Sequence, residues 1–413
     1  MARILAFTAF SVFWNLGLAQ DLVITNARII DGAGQFIELG SVVISDGRIV
    51  SVTQGNIDAQ GTRELDADGM TVMPGLINTH WHVMGGVLPA GSDEVLYQHI
   101  EEEVTVLLGE LLERGVTTIM STADYFPHIL ELRQRLADGQ LRGPRLVSVG
   151  RQLTGPDDWA SQLCDGNMEC KAKSFAELAT AEEARAAVRE LAEAGVDAIK
   201  LVYDDQIAPD VRIDDEVVAA ITDEAGRHGL RVFAHVTTAE DSFLKLVDLG
   251  VRGFVHTDRL SSSRESAQTL YDLEIPVSTT ITFWTNEWRE IQGEEYSEQT
   301  ERNLARRLEG IKYLLDKGVT VAFGTDTTDR TYAETMFLIE ARALNQVLSN
   351  EEVISTLTRN AAVYVGLGDE LGTLEPGKIA DIILIDGDPL ADISVLTSAA
   401  VVIQEGRIVA DNR

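Results

Sequence analysis

Two textures alternate along the chain when it is read for where its apolar positions fall. Over residues 73–359, short runs rich in Val, Ile and Phe alternate with longer stretches whose apolar residues recur at helical spacing. The short runs are PGLINTHWH, GVTTIMSTAD, RLVSVGRQLT, DAIKLVY, LRVFAHV, VRGFVHT, IPVSTTITF and VTVAFGTD. Helical stretches between them include SDEVLYQHIEEEVTVLLGELLERG, AEEARAAVRELAEAG, DEVVAAITDEAGRHG, TERNLARRLEGIKYLLDKG and AETMFLIEARALNQVL, several of them stopped by Gly. Strand followed by helix, eight times over, predicts an α/β chain folded as a (β/α)8 TIM barrel across residues 73–359. The two ends read differently. DLVITNARIIDGAG and GSVVISDGRIVSVTQG near the start, and LGTLEPGKIADIILIDGDPL and AAVVIQEGRIVADNR near the finish, are β-rich runs broken by Gly and Asp turns, as in antiparallel pairs. With 413 residues the chain exceeds the roughly 250 of one barrel, which leaves room for a second, smaller domain.

The residue closing each run brings in chemistry. His80 and His82 end the first run two positions apart, so on a strand both aim at one spot while Trp81 packs behind it. Lys200, His235, His256 and Asp326 close four later runs. Their intervals fit three, one, one and two units of roughly 31 residues, placing the set on strands 1, 4, 5, 6 and 8, at the face where barrels keep their chemistry. One histidine at a strand end is commonly a hydrogen-bonded structural residue. Five strand ends presenting ligand-type side chains form a pattern. His99, His128 and His228 fall in or beside helical stretches and keep the structural reading.

This set resembles the amidohydrolase superfamily, over nearly the whole chain beyond its first residues, and the terminal motif GTLEPGKIADIILI adds to the likeness. The resemblance implies a small β-sandwich domain built from both ends, residues 20–72 and 360–413. It also implies two divalent metal ions, with His80, His82 and Asp326 on one, His235 and His256 on the other, and carbamylated Lys200 joining them. Zinc is the expected metal from such His-rich ligation. Water activated between the metals then attacks a substrate carbonyl, with Asp326 as general base and afterwards general acid. Many members carry Asp two residues before the first histidine; here Asn78 stands there, which should change a hydrogen bond beside the metals and not a ligand.

Composition narrows the setting. The chain holds 66 acidic against 34 basic residues, a net charge of -32, which repels nucleic acid and anionic lipid and calls for no dedicated cationic partner. Residues 1–19 have one charge, Arg3, an apolar core from Ile4 to Trp14 and small residues before Gln20, the layout of a signal peptide cleaved after Ala19. That core is shorter than the ~20 residues of a membrane span. Export, to a periplasm or beyond, is therefore expected, with no membrane contact after cleavage. The two cysteines, Cys164 and Cys170, then read as a disulfide stapling the loop after strand 3.

Within the superfamily, the motifs look most similar to the imidazolonepropionase-related group that includes Xaa-Pro dipeptidases and N-acyl amino-acid hydrolases. The small-molecule substrate expected is a dipeptide of Xaa-Pro type or an N-acyl amino acid, cut at its amide bond. Its carboxylate needs a cation or hydroxyl, and Tyr203, Arg259, Arg151 and Arg330 each follow a strand that reaches the mouth. Other readings of the same residues are a lactonase or phosphotriesterase, a mononuclear deaminase or cyclic-amide hydrolase if Lys200 is not carbamylated, and a non-catalytic binding protein. The last should have lost ligands, and all six are present. Homo-oligomerisation is left open.

Overall fold

The computed structural model describes residues 21–59, 61–84, 93–164, 167–204, 212–236, 240–256, 264–327 and 333–413. The leader assigned to residues 1–19, and both Arg259 and Arg330, lie outside the described residues. Five strands open the chain: β1 (Leu22–Ile30), β2 (Phe36–Ser45), β3 (Arg48–Gln54), β4 (Arg63–Asp66) and β5 (Thr71–Pro74). A series alternating with helices follows: β6 (Leu76–Trp81), β7 (Val116–Ser121), β8 (Arg145–Ser148), β9 (Gln152–Thr154), β10 (Phe175–Glu177), β11 (Ile199–Tyr203), β12 (Val232–Val236), β13 (Gly253–Val255), β14 (Val277–Ser278) and β15 (Val321–Ala322). The last three are β16 (Ile382–Ile385), β17 (Ala399–Gln404) and β18 (Arg407–Asp411).

Both chain ends build one sheet, in the order β18-β17-β16-β5-β1-β2-β3 with β4 on β1. Its side chains obey the two-residue period of a strand. Ile382 and Leu384 of β16 join Ile24, Val42 and Val401 in a core of the sheet's own, whereas Ile383 and Ile385 face the main core of the molecule. One sheet thus serves two cores, and this explains why its runs carry so few polar positions.

The strands of the alternating series are parallel, in the sheets β6-β7-β8 and β10-β9-β11-β12-β13-β14-β15. Backbone hydrogen bonds tie the two sheets together at both edges. Asp197 N donates to Ser148 O at 2.8 Å on one side. On the other, Thr79 N donates to Phe323 O, Asp326 N to His80 O and His82 N to Thr327 O, all at 2.9–3.0 Å. Ile77, Met120, Val147, Phe233, Val255 and Ala322 from six of these strands meet in one apolar cluster with Tyr364. The helix Arg359–Tyr364 that carries Tyr364 therefore packs with the parallel strands, and the terminal sheet resumes only at β16, later than residue 360.

The helices have local reasons to start and stop where they do. Ala181–Ala194 begins with a reciprocal capping box between Thr180 and Glu183 and ends at Gly195, whose φ of 84° suits only a residue without Cβ. The helical stretch Asp93–Glu113 is continuous apart from a five-residue π segment, Ile100–Val104. Among the described residues, no helix is long and apolar enough to cross a membrane.

Candidate metal centre

At the end of β6, His80 and His82 turn toward Asp326, which follows β15. Asp326 Oδ1 lies 3.0 Å from His80 Nε2 and 3.1 Å from His82 Nε2, and the ligand atoms of all three fall within 4.8 Å of one another. Gly324 makes this approach possible, because a Cβ there would stand 2.9 Å from His80 Cβ and 2.4 Å from Ser278 Oγ. Asn78 locks the two strands in register. Its Nδ2 donates to Thr325 Oγ1 at 2.8 Å and its Oδ1 accepts from His80 N at 3.2 Å and Thr325 N at 3.3 Å, so its amide bonds strand to strand beside the cluster.

The second group adjoins the first. The rings of His80 and His256 are 5.2 Å apart, those of His235 and His256 4.4 Å. His256 follows β13 and is hydrogen-bonded through Nδ1 to Thr280 Oγ1 at 2.6 Å. Lys200 of β11 is 2% exposed, and its charge is felt by His80, His235 and His256. The structure thus links five of the six residues that the sequence singles out by direct contacts, and buries the sixth, Lys200, within reach of their charge.

Two of them hold strained backbone. His256 (φ 64°) and Asp326 (φ 57°) occupy the left-handed region, a state that costs side-chain-bearing residues on the order of 1–3 kcal/mol and collects at functional sites.

Electrostatics favour bare donor atoms. Burial lowers His80 to about 4 and His235 to about 3, with the Lys200 charge adding to both, and burial and His235 push His256 well below its usual value. These imidazoles are neutral at pH 7. Asp326 would be raised by its burial, yet the flanking His80 and His82 hold it well below the usual carboxylate range. Burial pushes the Lys200 amine down to about 8, against the pull of Asp326.

The donor set fits a divalent cation. His82 Nδ1 faces Ala123 O at 2.9 Å, an oxygen that only accepts, so the ring carries a proton there and turns Nε2 to the same carboxylate oxygen that faces His80; despite its burial, the Asp326 carboxylate raises this imidazole above its usual value. Lone pairs converging in this way need a proton or a metal between them. His80 Nδ1 and His235 Nε2 are also buried without hydrogen-bond partners.

Two residues expected to contact substrate are engaged within the protein. Tyr203 lies three residues beyond Lys200, hence on the opposite face of β11, where it is fully buried, donates its hydroxyl to Asp215 Oδ1 at 2.9 Å and stacks under Arg212. Arg151 is held by Glu190 and by Ala172 O at 3.2 Å, over the ring of Phe126. The remaining histidines pair with acids outside the cluster: His99 with Glu103, His128 with Asp93 and His228 with Glu224. Cys164 and Cys170 form a disulfide.

Sequence reasoning missed two acids. Asp124 accepts from Val83 N, Met84 N and the Ser121 hydroxyl at 2.6–2.9 Å, fixing the chain that leaves His82, and burial raises it to about 6. Asp204 is fully buried with Oδ2 3.9 Å from His235 Nε2. Each stands just past a strand end, the same signal that marked the ligands.

Residues 71–409 match the amidohydrolase family. An imidazolonepropionase of Caldanaerobacter subterraneus is 25% identical over 392 residues, covering 86% of this chain and 85% of that one. A 5-methylthioadenosine/S-adenosylhomocysteine deaminase of Moorella thermoacetica is 25% identical over 398 residues, covering 88% and 85%. Among solved structures, a prolidase complexed with N-methylphosphonate-L-proline superposes with a TM-score of 0.78 at 24% identity, covering 95% of this chain and 100% of that one.

Proposed function

Because this chain belongs to the amidohydrolase family and is a metal-dependent hydrolase acting on C–N bonds, we propose that it is a binuclear enzyme cleaving an amide bond in a Xaa-Pro dipeptide or N-acyl amino acid. The observation carrying this reading is Lys200, an amine buried at the second position of β11, whose charge lowers both His80 on one side and His235 with His256 on the other. We read the joined parallel strands as a (β/α)8 barrel with these residues at its carboxyl-end face. His80, His82 and Asp326 would hold one cation, His235 and His256 another, and Lys200, as a carbamate, would join them. An amine lowered to about 8 supplies the neutral nitrogen that carbamate formation needs. Zinc suits this nitrogen-rich set. Bound there, divalent cations supply polarisation of the scissile carbonyl and a water acidified toward neutrality.

The chain's own residues do the rest. Asp326 offers Oδ1 to the two histidines and keeps Oδ2 for a proton, which it takes from the attacking water and returns to the leaving nitrogen. Asn78 and Asp124 hold the backbone on either side of His80 and His82, so the donors do not relax as the charge moves. A disulfide in the loop after β9 suits an oxidising compartment and supports the exported location read from residues 1–19.

A second reading has its own support: the sequence relatives are named as an imidazolonepropionase and a deaminase, and His80, His82 and Asp326 form the tightest cluster. It is a mononuclear hydrolase of a cyclic amide or amidine. Metal content of the purified protein separates the two, combined with a hydrolysis screen over Xaa-Pro dipeptides, N-acyl amino acids, lactones and phosphotriesters. About two metals per chain, reduced in Lys200→Ala, with chelator-sensitive amide cleavage, is expected. One metal per chain, indifferent to Lys200→Ala, overturns the binuclear reading in favour of the mononuclear one, and faster turnover of lactones or phosphotriesters overturns the amide.

A further inference from the structure

On the segment whose Trp159 ring packs by His235, two buried polar atoms find no hydrogen-bond partner among the described residues. Asp158 and Trp159 begin the short helix Trp159–Gln162, just before the stapled Cys164. Asp158 caps that helix through Oδ1, which accepts from Ala160 N at 2.9 Å. Its Oδ2 has no hydrogen-bond partner, although the residue is only 1% exposed. Trp159 sets its ring 5.4 Å from the ring of His235, and its indole Nε1 is also buried without an acceptor. The neighbouring Glu177 shows the contrast: its Oε1 takes Asp157 N, the Ser161 hydroxyl and, at 2.7 Å, Lys171 Nζ. Lys171 is thereby spent on Glu177.

A buried acceptor and a buried donor, both unmet, are costly in a folded protein and expected where a ligand completes them. The charge of that ligand follows from the surroundings. The acidic Asp204, whose Oδ2 stands 3.9 Å from His235 Nε2, and Glu177 both add negative charge around Asp158, and these surroundings favour a cation. An indole can take a cation on its face and donate its N–H to an oxygen. An ammonium and a carbonyl oxygen on adjoining carbons are what an unblocked α-amino acyl group presents.

We propose that Asp158 and Trp159 form the subsite for the free α-ammonium and the adjoining carbonyl oxygen of the substrate's amino-terminal residue. The enzyme then prefers unblocked dipeptides to N-acyl amino acids. This preference rests on the amide-cleaving reading above, whereas occupancy of the subsite is measurable without turnover.

The test uses the metal-loaded protein and two ligands that contain no bond to cleave, L-leucine and 4-methylpentanoate, which differ by the ammonium alone. Calorimetry should show L-leucine binding at least about tenfold tighter. Asp158→Asn, which still caps a helix, should bring the two within about threefold, and Trp159→Phe, which keeps the ring and loses the N–H, should weaken both by about tenfold. Equal binding of the two ligands to the wild type overturns the subsite, as does a preference that survives Asp158→Asn. Cleavage of Leu-Pro and N-acetyl-Leu-Pro is followed in parallel. A leucine preference erased by Asp158→Asn in a protein that cleaves neither peptide would support the subsite and sink the amide reading instead.

Discussion

Asp326 carries two demands on one side chain: it faces two histidines through a single oxygen and is bent into a left-handed backbone to do so. Asp326→Asn keeps the size and removes the proton-accepting charge, so kcat for the preferred amide should fall by on the order of 10²–10⁴. The check is steady-state kinetics with metal content measured on the same sample, and a variant that is fully metallated and as fast as the wild type would refute the assignment. At this scale the clustered histidines and Asp326 were legible because each stands at or near the end of an apolar run, a position where a polar side chain has few reasons to be, whereas Lys200 stands early in β11. Tyr203 was misread for a reason of parity, since three steps along a strand reverse the face. Arg151 was misread because its partner, Glu190, lies on a distant helix that no local pattern connects to it.

The run IPVSTTITF illustrates how elements depart from their sequence pattern. It is rich in β-branched residues, yet only Val277–Ser278 pairs as strand, and a 3-10 turn occupies Thr282–Trp284. Glu340 explains the break. From the helix Ala333–Leu344 it accepts from Ile281 N at 3.0 Å, Thr282 N at 2.7 Å and the Thr282 hydroxyl at 2.8 Å, taking the amides away from any ladder. A single run of sequence holds no trace of such a clamp. Glu340 is fully buried, and burial raises its carboxyl from 4.5 to about 7 against these hydrogen bonds. The folded protein therefore keeps a proton that the unfolded chain releases above 4.5. Stability from this group is full below about pH 4.5 and is lost as pH rises toward 7. Denaturant titrations from pH 4.5 to 8 should show the wild type losing on the order of 3 kcal/mol more than Glu340→Gln. Parallel pH profiles would contradict it.

The whole molecule joins a highly acidic chain, net -32, to a centre of converging lone pairs, and the second needs cations to balance it. Stripping metal with a chelator should lower the melting temperature by on the order of 5–10 °C, restored by added zinc. An unchanged melting curve would mean that the cluster is satisfied by protons alone. Across the whole chain, periodicity gave two sets of similar β-rich runs and the family resemblance joined them in one domain; the strand order of the shared sheet emerges only from register. In that sheet β5 lies between β1 and β16, and Gly75 alone separates it from β6, whose end carries His80 and His82. A Cβ at Gly75 would fall 2.2 Å from Thr117 Oγ1, so this link has little freedom to adjust. The order of synthesis gives the arrangement a further meaning. A chain growing from its amino end displays both histidines early, while β16, which pairs with β5 just ahead of the strand holding them, is among the last to be made. A chain ended before β16 would carry all six candidate ligands yet leave β5, the strand leading directly into β6, unpaired along one edge.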